Sequence, residues 1–174
     1  MDVFLAHGAS GTAESMRPWV AGLARRGISA HAVGLPVGRA ERAVPAYRAA
    51  VAAAGVALDQ AIIGGQSYGG RVASLLATEE APAGLALLCY PLHPPGKPAE
   101  ARVDHWPQVG CPTLLLSGEV DPLARIDLLR GAVDSLPDAT LFTFAGVGHT
   151  LAPVIEEALD RLARFVADVE GRPR

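Results

Sequence analysis

The residues best suited to chemistry form a glycine-rich run in the middle of the chain. It reads G-G-Q-S-Y-G-G over residues 64–70 and contains the pattern G-x-S-x-G between an apolar run and a helix-like segment. In that context a serine hydroxyl is presented as a nucleophile on a sharp strand-to-helix turn. We expect Ser67 to adopt a strained, positive-φ backbone that costs about 1–3 kcal/mol. Gly65 and Gly69, two residues away on either side, are expected to crowd each other in this turn and so to have no room for a Cβ, and Gly70 would let the helix pack close to the strand.

Two other chemistries use glycine-rich turns, and both fit this run poorly. A phosphate-binding P-loop requires a Lys-Ser or Lys-Thr pair, which the chain lacks. A dinucleotide-binding turn requires glycine where Ser67 stands, and it follows the first strand of its domain rather than the third. A plain turn between strand and helix remains the third alternative, so the decision depends on whether a base and an acid accompany the serine.

Five histidines could supply the base. In an open parallel sheet, active residues lie on loops beyond the carboxyl ends of strands. His149, in G-V-G-H-T, lies in such a loop just before the last predicted helix and is our choice. His31 lies within a predicted strand, His93 and His105 lie in a proline-rich segment, and His7 precedes the serine.

The acid is expected in the loop after the fifth predicted strand, which reads S-G-E-V-D-P over residues 117–122. We choose Asp121, because Pro122 fixes the turn and because the resulting order along the chain is serine, acid, histidine. Glu119 is the alternative acid. Asp121 could also serve simply as a turn former before proline, and that role does not conflict with a catalytic one.

The loop after the first strand is expected to bind the oxyanion and the substrate. A tetrahedral intermediate needs two N–H donors directed at its oxyanion. The backbone of Tyr68, directly after the nucleophile, should supply one, and the backbone of Ala9 the other, with Ser10 as the alternative. Gly8 would let substrate approach the backbone, and His7 would order the loop.

Short aliphatic runs alternate with longer alanine-rich segments along the chain, and this alternation predicts the fold. The runs are continuously apolar, as is typical of strands buried on both faces of a parallel sheet. The predicted strands are Val3–Ala6, Ile28–Val33, Ala61–Ile63, Leu85–Tyr90, Thr113–Leu116 and Thr140–Phe144. The predicted helices are Ala13–Arg26 capped by Thr12, Glu41–Ala54, Gly70–Thr78, Arg125–Ser135 and Pro153–Val169. This is a three-layer α/β/α sandwich around a minimal six-stranded parallel sheet, in one domain over residues 1–174, with residues 170–174 expected to fray.

A proline-rich excursion, Pro91–Pro112, interrupts this alternation. Its prolines prevent regular structure through most of its length, and a loop this long in a compact domain is usually functional. We expect His93, Lys97 and Trp106 to line one wall of the site, where Lys97 could meet an anionic substrate. A solvated surface loop is the alternative.

Composition limits the possible partners. The 174 residues carry a formal net charge of −3, which gives no basic surface for nucleic acid. Cys89 and Cys111 have neither metal-ligand spacing nor a disulfide framework around them, so we interpret both as core residues and expect no metal or cofactor. Neither a signal peptide nor a membrane-spanning run is evident, which favours a cytoplasmic protein that does not bind membranes. We further expect the protein to be a monomer or a homodimer.

Taken together, the motifs H-G, G-Q-S-Y-G-G, G-E-V-D-P and G-H, in this order, resemble the α/β-hydrolase superfamily over nearly the whole chain. The run L-L-C-Y-P-L-H-P-P-G-K-P at 87–98 resembles a narrower, lid-less branch. That branch includes the hydrolase-like domain of testis-expressed protein thirty and NSL-complex subunit three, near the dienelactone-hydrolase-like proteins. We expect a minimal core without the two strands that usually precede the H-G strand.

The resemblance implies a serine hydrolase that cleaves small or exposed carboxylic esters or thioesters through an acyl-enzyme. Dienelactone hydrolases use a cysteine nucleophile, and Ser67 at that position argues against their reaction. A non-catalytic binding or scaffold protein on the same fold is the alternative, because fold does not determine function.

Overall fold

Six strands lie side by side in one fully parallel sheet, in the order β2-β1-β3-β4-β5-β6. The structure is a computed structural model that describes residues 1–172, so residues 173–174 of the expected frayed end lie outside it. The strands are β1 (Asp2–Ala6), β2 (Ala30–Val33), β3 (Ala61–Gln66), β4 (Gly84–Leu88), β5 (Thr113–Gly118) and β6 (Ala139–Phe144). The sheet order reverses at β1 and β3, and a ligand crevice forms at such a point in open α/β sheets.

Five helices cover the two faces of this sheet. They are α1 (Arg17–Ala24), α2 (Ala40–Ala53), α3 (Tyr68–Glu79), α4 (Ile126–Val133) and α5 (Ile155–Glu170). Buried residues of α1 and α5 share one apolar core, and buried residues of α2, α3 and α4 share the other. The central strands contribute to both cores, as Ile62 and Ile63 of β3 illustrate. The predicted three-layer sandwich with a six-stranded parallel sheet is therefore confirmed.

The predicted elements are all present, with local differences at their ends. The first predicted helix begins with a 3-10 turn, Ala13–Met16, and the Thr12 side chain makes no capping hydrogen bond. Instead the Thr12 carbonyl accepts a hydrogen bond from the Ser15 hydroxyl at 2.7 Å. The fourth strand ends at Leu88, two residues earlier than predicted, because Cys89 adopts a φ of 48° and turns the chain out of the sheet.

A buried tyrosine on α2 joins two central strands. The Tyr47 side chain is fully buried, and its hydroxyl lies 2.7 Å from the carbonyl oxygens of Phe4 in β1 and Gly64 in β3. The same hydroxyl accepts a hydrogen bond from the Gly64 backbone N–H at 2.9 Å. Burial raises the pKa of this phenol well above its usual value, so it remains protonated and can donate. Helix α2 is thereby anchored to the strand that carries the candidate nucleophile.

A second buried polar group holds the proline-rich excursion against α3. The imidazole Nε2 of His105 lies 2.8 Å from the Ser74 hydroxyl, which in turn donates to the Arg71 carbonyl. His105 therefore donates from Nε2, as a neutral imidazole can. Burial, with a smaller contribution from the Arg71 charge, lowers the pKa of His105 from its usual 6.5 to about 4. Trp106, the next residue, is fully buried, with its ring edge-on to Tyr90 at 5.0 Å between centroids.

We predict that Gly64→Ala destabilises the fold by about 1–3 kcal/mol, because it overpacks the middle of the sheet. A Cβ added at Gly64 would overlap the carbonyl oxygen of Ala86 on β4, which is backbone and cannot move aside. Gly131→Ala in α4 is the matched control. That position is exposed with open space around it, so alanine should stabilise the helix by about 0.5–1 kcal/mol. Urea unfolding followed by circular dichroism gives the free energy of unfolding of both variants. Equal changes in that free energy for Gly64→Ala and Gly131→Ala would contradict the prediction.

We also predict that the free energy of unfolding falls as the pH decreases from about 6.5 towards 4, in part because of His105. In that range the unfolded chain takes up a proton at this histidine and the folded chain does not, so acid favours unfolding. His105→Gln retains a donor for Ser74 and removes the titrating group. The difference in urea midpoint between pH 4.5 and pH 7 should therefore shrink in the variant. An unchanged difference would show that His105 does not resist protonation.

Candidate active site

Ser67 occupies a sharp turn between β3 and α3. Its backbone has a φ of 50° and a ψ of −112°, which confirms the positive-φ conformation predicted from the glycine-rich run. Its N–H donates to the Leu88 carbonyl at 2.8 Å, so the serine remains tied to the neighbouring strand β4. The next residue already begins α3. The side chain is therefore presented at the carboxyl edge of the sheet on a turn that is fixed at both ends.

The glycines around Ser67 leave room for a neighbouring strand. A Cβ added at either Gly65 or Gly69 would overlap the carbonyl oxygen of Ala6, the last residue of β1. The sequence led us to expect the two glycines to crowd each other, but the crowding comes from β1. At Gly70 an added Cβ would stand 2.8 Å from the Gly65 carbonyl oxygen, so this glycine lets α3 pack closely on β3, as predicted.

Ser67, His149 and Asp121 form a continuous chain of hydrogen bonds. The Ser67 hydroxyl oxygen lies 2.8 Å from His149 Nε2, and His149 Nδ1 lies 2.7 Å from an Asp121 carboxylate oxygen. The other carboxylate oxygen accepts the Leu123 N–H at 2.8 Å. The Asp121 side chain is fully buried, whereas the imidazole is 25% exposed. A buried ionised carboxylate requires such partners, and they hold the imidazole with its Nδ1 protonated and its Nε2 free to accept the serine proton.

Backbone hydrogen bonds join the loop that carries the acid to the loop that carries the base. The N–H groups of Glu119 and Val120 donate to the carbonyls of Phe144 and Val147, each at 3.0 Å. Gly118 makes this approach possible, because an added Cβ would overlap the Val147 carbonyl oxygen. The sequence motifs do not predict this contact. The sequence feature at this contact is Gly118 at the end of an apolar run, and glycines in that position occur in turns of every kind.

Glu119, the alternative acid, faces away from the histidine. Its carboxylate accepts the Thr143 hydroxyl at 2.8 Å and pairs with Arg130 at 3.3 Å. Of the two carboxylates weighed from the sequence, Asp121 is therefore the one that contacts His149.

The loop after β1 lies beside the serine. A Cβ added at Gly8 would be only 3.8 Å from the Ser67 Cβ, and the exposed Ala9 and Ser10 follow in a tight turn. His7 is buried and makes two hydrogen bonds. Its Nε2 accepts the Leu35 N–H at 3.0 Å, and its Nδ1 donates to the Gly8 carbonyl at 2.7 Å. These bonds connect the loops after β1 and β2. The Tyr68 N–H is the first of α3, so it has no intrahelical acceptor.

The three residues of the excursion that we expected to line a wall lie in different settings. His93 is buried, and its Nε2 accepts the Arg125 N–H at 3.3 Å, so it connects the excursion to the start of α4. Lys97 is exposed and pairs with Glu100 at 3.0 Å. Trp106 is fully buried in the core shared by α2, α3 and α4, which corrects the expectation that it lines a wall. Its ring is large and apolar, and packing against Tyr90 removes it from water.

Within residues 1–172, no helix is both long enough and apolar enough to cross a bilayer. The same residues contain no group of three or more His, Cys, Asp or Glu side chains placed to hold a metal ion. Both cysteines are free thiols, and burial raises the pKa of each to about 12.

Comparison with solved structures shows the same fold in several hydrolases. A thermophilic esterase from Thermogutta terrifontis matches with a TM-score of 0.80 and 16% identity, over 97% of this chain and 90% of that one. A monoacylglycerol lipase from Paleococcus ferrophilus matches with a TM-score of 0.81 and 15% identity, over 97% and 94%. Est1E from Butyrivibrio proteoclasticus, solved with ferulic acid bound, matches with a TM-score of 0.81 and 15% identity, over 98% and 90%. At these identities the likeness establishes the fold alone.

Comparison with curated protein sequences finds no match. The family model described as an alpha/beta hydrolase domain matches residues 34–167, about three quarters of the chain and a span that includes Ser67, Asp121 and His149. The chain therefore belongs to the alpha/beta hydrolase domain family.

Proposed function

We propose that the protein is a serine hydrolase that cleaves carboxylic esters or thioesters through an acyl-enzyme intermediate. The observation that carries this proposal is the pair of hydrogen bonds that connect Ser67 to His149 and His149 to Asp121. Such a chain supplies a nucleophile, a base and a group that orients the base. Esterases and lipases among the solved structures of the same fold support the choice of ester bonds.

In the acylation step, the Ser67 oxygen attacks the substrate carbonyl carbon while His149 Nε2 takes the hydroxyl proton. The buried Asp121 carboxylate stabilises the imidazolium that results. The tetrahedral intermediate carries its negative charge on the former carbonyl oxygen, where the backbone N–H groups of Tyr68 and Ala9 would donate to it. Collapse of the intermediate expels the alcohol or thiol, which receives the proton from His149. The acyl group is then held on Ser67.

In the deacylation step, a water molecule takes the place of the leaving group. His149 removes a proton from this water, which attacks the acyl carbon and forms a second tetrahedral intermediate at the same site. The bond to Ser67 then breaks, the serine regains its proton from His149, and the carboxylic acid leaves. The cycle consumes one water and returns the three side chains to their initial state.

The surroundings of the site favour small or protruding acyl groups. The His149 imidazole keeps a quarter of its surface exposed. Between β4 and β5, where an insertion could cover the site, the described chain contains only a single 3-10 turn, Trp106–Gln108. A long lipid chain gains most from an enclosed apolar tunnel, because burial of apolar surface drives its binding. An open site buries less apolar surface of such a chain, so a long lipid gains less from binding there.

The first test is covalent labelling with a fluorophosphonate probe, followed by peptide mapping. We expect the label on Ser67 alone, because activation by His149 makes this hydroxyl the reactive one. Ser67→Ala should lose the label and reduce turnover of p-nitrophenyl acetate by about 10⁶-fold, in practice to the detection limit. Ser135→Ala is the control, since that hydroxyl only donates to the Ala132 carbonyl at the end of α4. Absence of label on folded wild-type protein would contradict the proposal and favour a non-catalytic binding protein.

The second test separates the two carboxylates of the acid loop. Asp121→Asn keeps the shape of the side chain but stabilises the wrong imidazole tautomer, so kcat should fall by about 10⁴-fold. Glu119→Gln, two residues away in the same loop, should change kcat less than about threefold, because the Glu119 carboxylate bonds to Thr143 and Arg130 and not to His149. If Asp121→Asn retained more than about a tenth of the wild-type kcat, the assignment of the acid would be wrong.

A further inference from the structure

A small open pocket adjoins the turn that carries Ser67. It has a volume of about 230 Å³ and lies between the start of α2, the start of α3 and the excursion. The residues that line it include Arg39, Glu41, Tyr68, Arg71 and Arg102, and we call it the arginine pocket. None of its residues takes part in the hydrogen-bonded chain of the serine, the histidine and the aspartate.

The arginine pocket carries positive charge on a protein that is negative overall. Three arginines and one glutamate line it, whereas the whole chain has a formal net charge of −3. Arg71 pairs with Glu41 at 3.1 Å. Within residues 1–172, Arg39 and Arg102 form no ion pair with any carboxylate. Two arginines that form no ion pair therefore line one cavity together with Arg71, and their like charges favour an anion there.

The Arg71 side chain and the Arg102 backbone are held by the fold. Arg71 Nη1 donates to the Arg102 carbonyl at 3.4 Å, and the buried Tyr90 hydroxyl donates to the same carbonyl at 2.7 Å. The Arg102 N–H donates to the Leu92 carbonyl, also at 2.7 Å. The backbone of Arg102 is thus fixed by three hydrogen bonds, while its guanidinium is left for the pocket. This ordering lowers the entropy that binding an anion would cost.

Tyr68 places the pocket next to the reacting atoms. It follows Ser67 directly, so the two Cα atoms are about 3.8 Å apart, and its side chain lines the pocket. Its hydroxyl donates to the Pro36 carbonyl at 2.8 Å, which connects the turn to the loop just before Arg39. The pocket therefore begins within one tyrosine side chain of the nucleophile, at the same edge of the sheet. A substrate attacked by Ser67 would have to span about the length of that side chain to reach the pocket.

We propose that the arginine pocket binds an anionic group of the substrate, a carboxylate or a phosphate, so that the preferred substrates are acidic esters or thioesters. This inference rests on the proposed function and specifies its substrate class. The planar fork of N–H donors on arginine matches the oxygens of both anions and forms charge-assisted hydrogen bonds with them. A carboxylate would sit at the far end of the acyl chain. A phosphate would lie on the leaving group a few atoms from the ester bond, as in an acylated glycerol phosphate.

The kinetic test compares each acidic substrate with a neutral partner of similar size. Monomethyl glutarate is paired with methyl valerate, and 1-butyrylglycerol 3-phosphate with 1-butyrylglycerol. The readout is the ratio of kcat/KM for the acidic substrate to that for the neutral one. In Arg39→Gln and in Arg102→Gln this ratio should fall about 5- to 20-fold for at least one pair, since each variant removes a charged hydrogen-bond donor. The pair that responds identifies the anion as carboxylate or phosphate.

Arg42→Gln is the matched control, because it removes the same charge from the exposed start of α2 outside the pocket. Its ratio should stay within about twofold of the wild-type ratio, since an exposed charge that does not line the pocket is weakened by salt and is not positioned to hydrogen-bond an anion bound there. An equal fall in Arg42→Gln would mean that overall charge and not the pocket favours acidic substrates. An unchanged ratio for both pairs in Arg39→Gln and Arg102→Gln would overturn the inference, while hydrolysis of methyl valerate or 1-butyrylglycerol would leave the proposed function intact.

A binding measurement tests the pocket without turnover. With the Ser67→Ala variant as background, glutarate and inorganic phosphate are titrated, and line broadening of their carbon and phosphorus resonances is followed. At least one anion should bind, and adding Arg39→Gln or Arg102→Gln should weaken it about fivefold or more, whereas adding Arg42→Gln should not. Failure of both anions to bind would overturn the inference. Absence of fluorophosphonate labelling on the wild-type protein would instead overturn the proposed function.

Discussion

The turn after β3 lies directly against the carbonyl group of Ala6, and the candidate site depends on that contact. Glycine at 65 and 69 leaves no Cβ between the turn and β1, so Ser67 can stand beside the loop that follows β1. The positive φ of Ser67 costs about 1–3 kcal/mol. The central position of β3 and the buried face of α3 offset that cost. A methyl group at either glycine would push the turn away from β1, and with it the serine from the proposed oxyanion donors.

The acid and the base of the site, Asp121 and His149, follow strands that are not adjacent to β3 in the sheet. Ser67 follows β3, Asp121 follows β5 and His149 follows β6, while β4 lies between the first two. Adjacent strands are about 4.8 Å apart, so the side chains must converge across the end of β4. The positive φ of Cys89 turns the chain out of the sheet directly after β4. The acid and base loops are joined to each other by backbone hydrogen bonds, and this unit brings the imidazole to the serine.

Buried polar groups divide the excursion into a fixed part and a part that can meet a ligand. His93, His105 and Trp106 are buried or hydrogen-bonded within the fold and hold the excursion to α4 and α3. The guanidinium of Arg102 has no carboxylate partner within the part of the chain that the structure describes. A positive pocket on a negative protein acts locally, because salt screens exposed charges beyond about 8–10 Å. The overall charge therefore says little about the charge that a substrate would meet beside Ser67.

Local signals in the chain were enough to specify the layered fold, the strained serine turn and the order of serine, acid and histidine. Those signals are the continuous apolar runs, the glycines around Ser67 and the loops at strand ends. The choice between Asp121 and Glu119 needed the folded structure, because both lie in one turn and the direction of each side chain depends on contacts with another loop. The burial of Trp106 in the core and the pocket lined by three arginines also became evident only from the folded structure. Residues far apart in the chain come together only through long-range packing, and local sequence patterns do not predict such contacts.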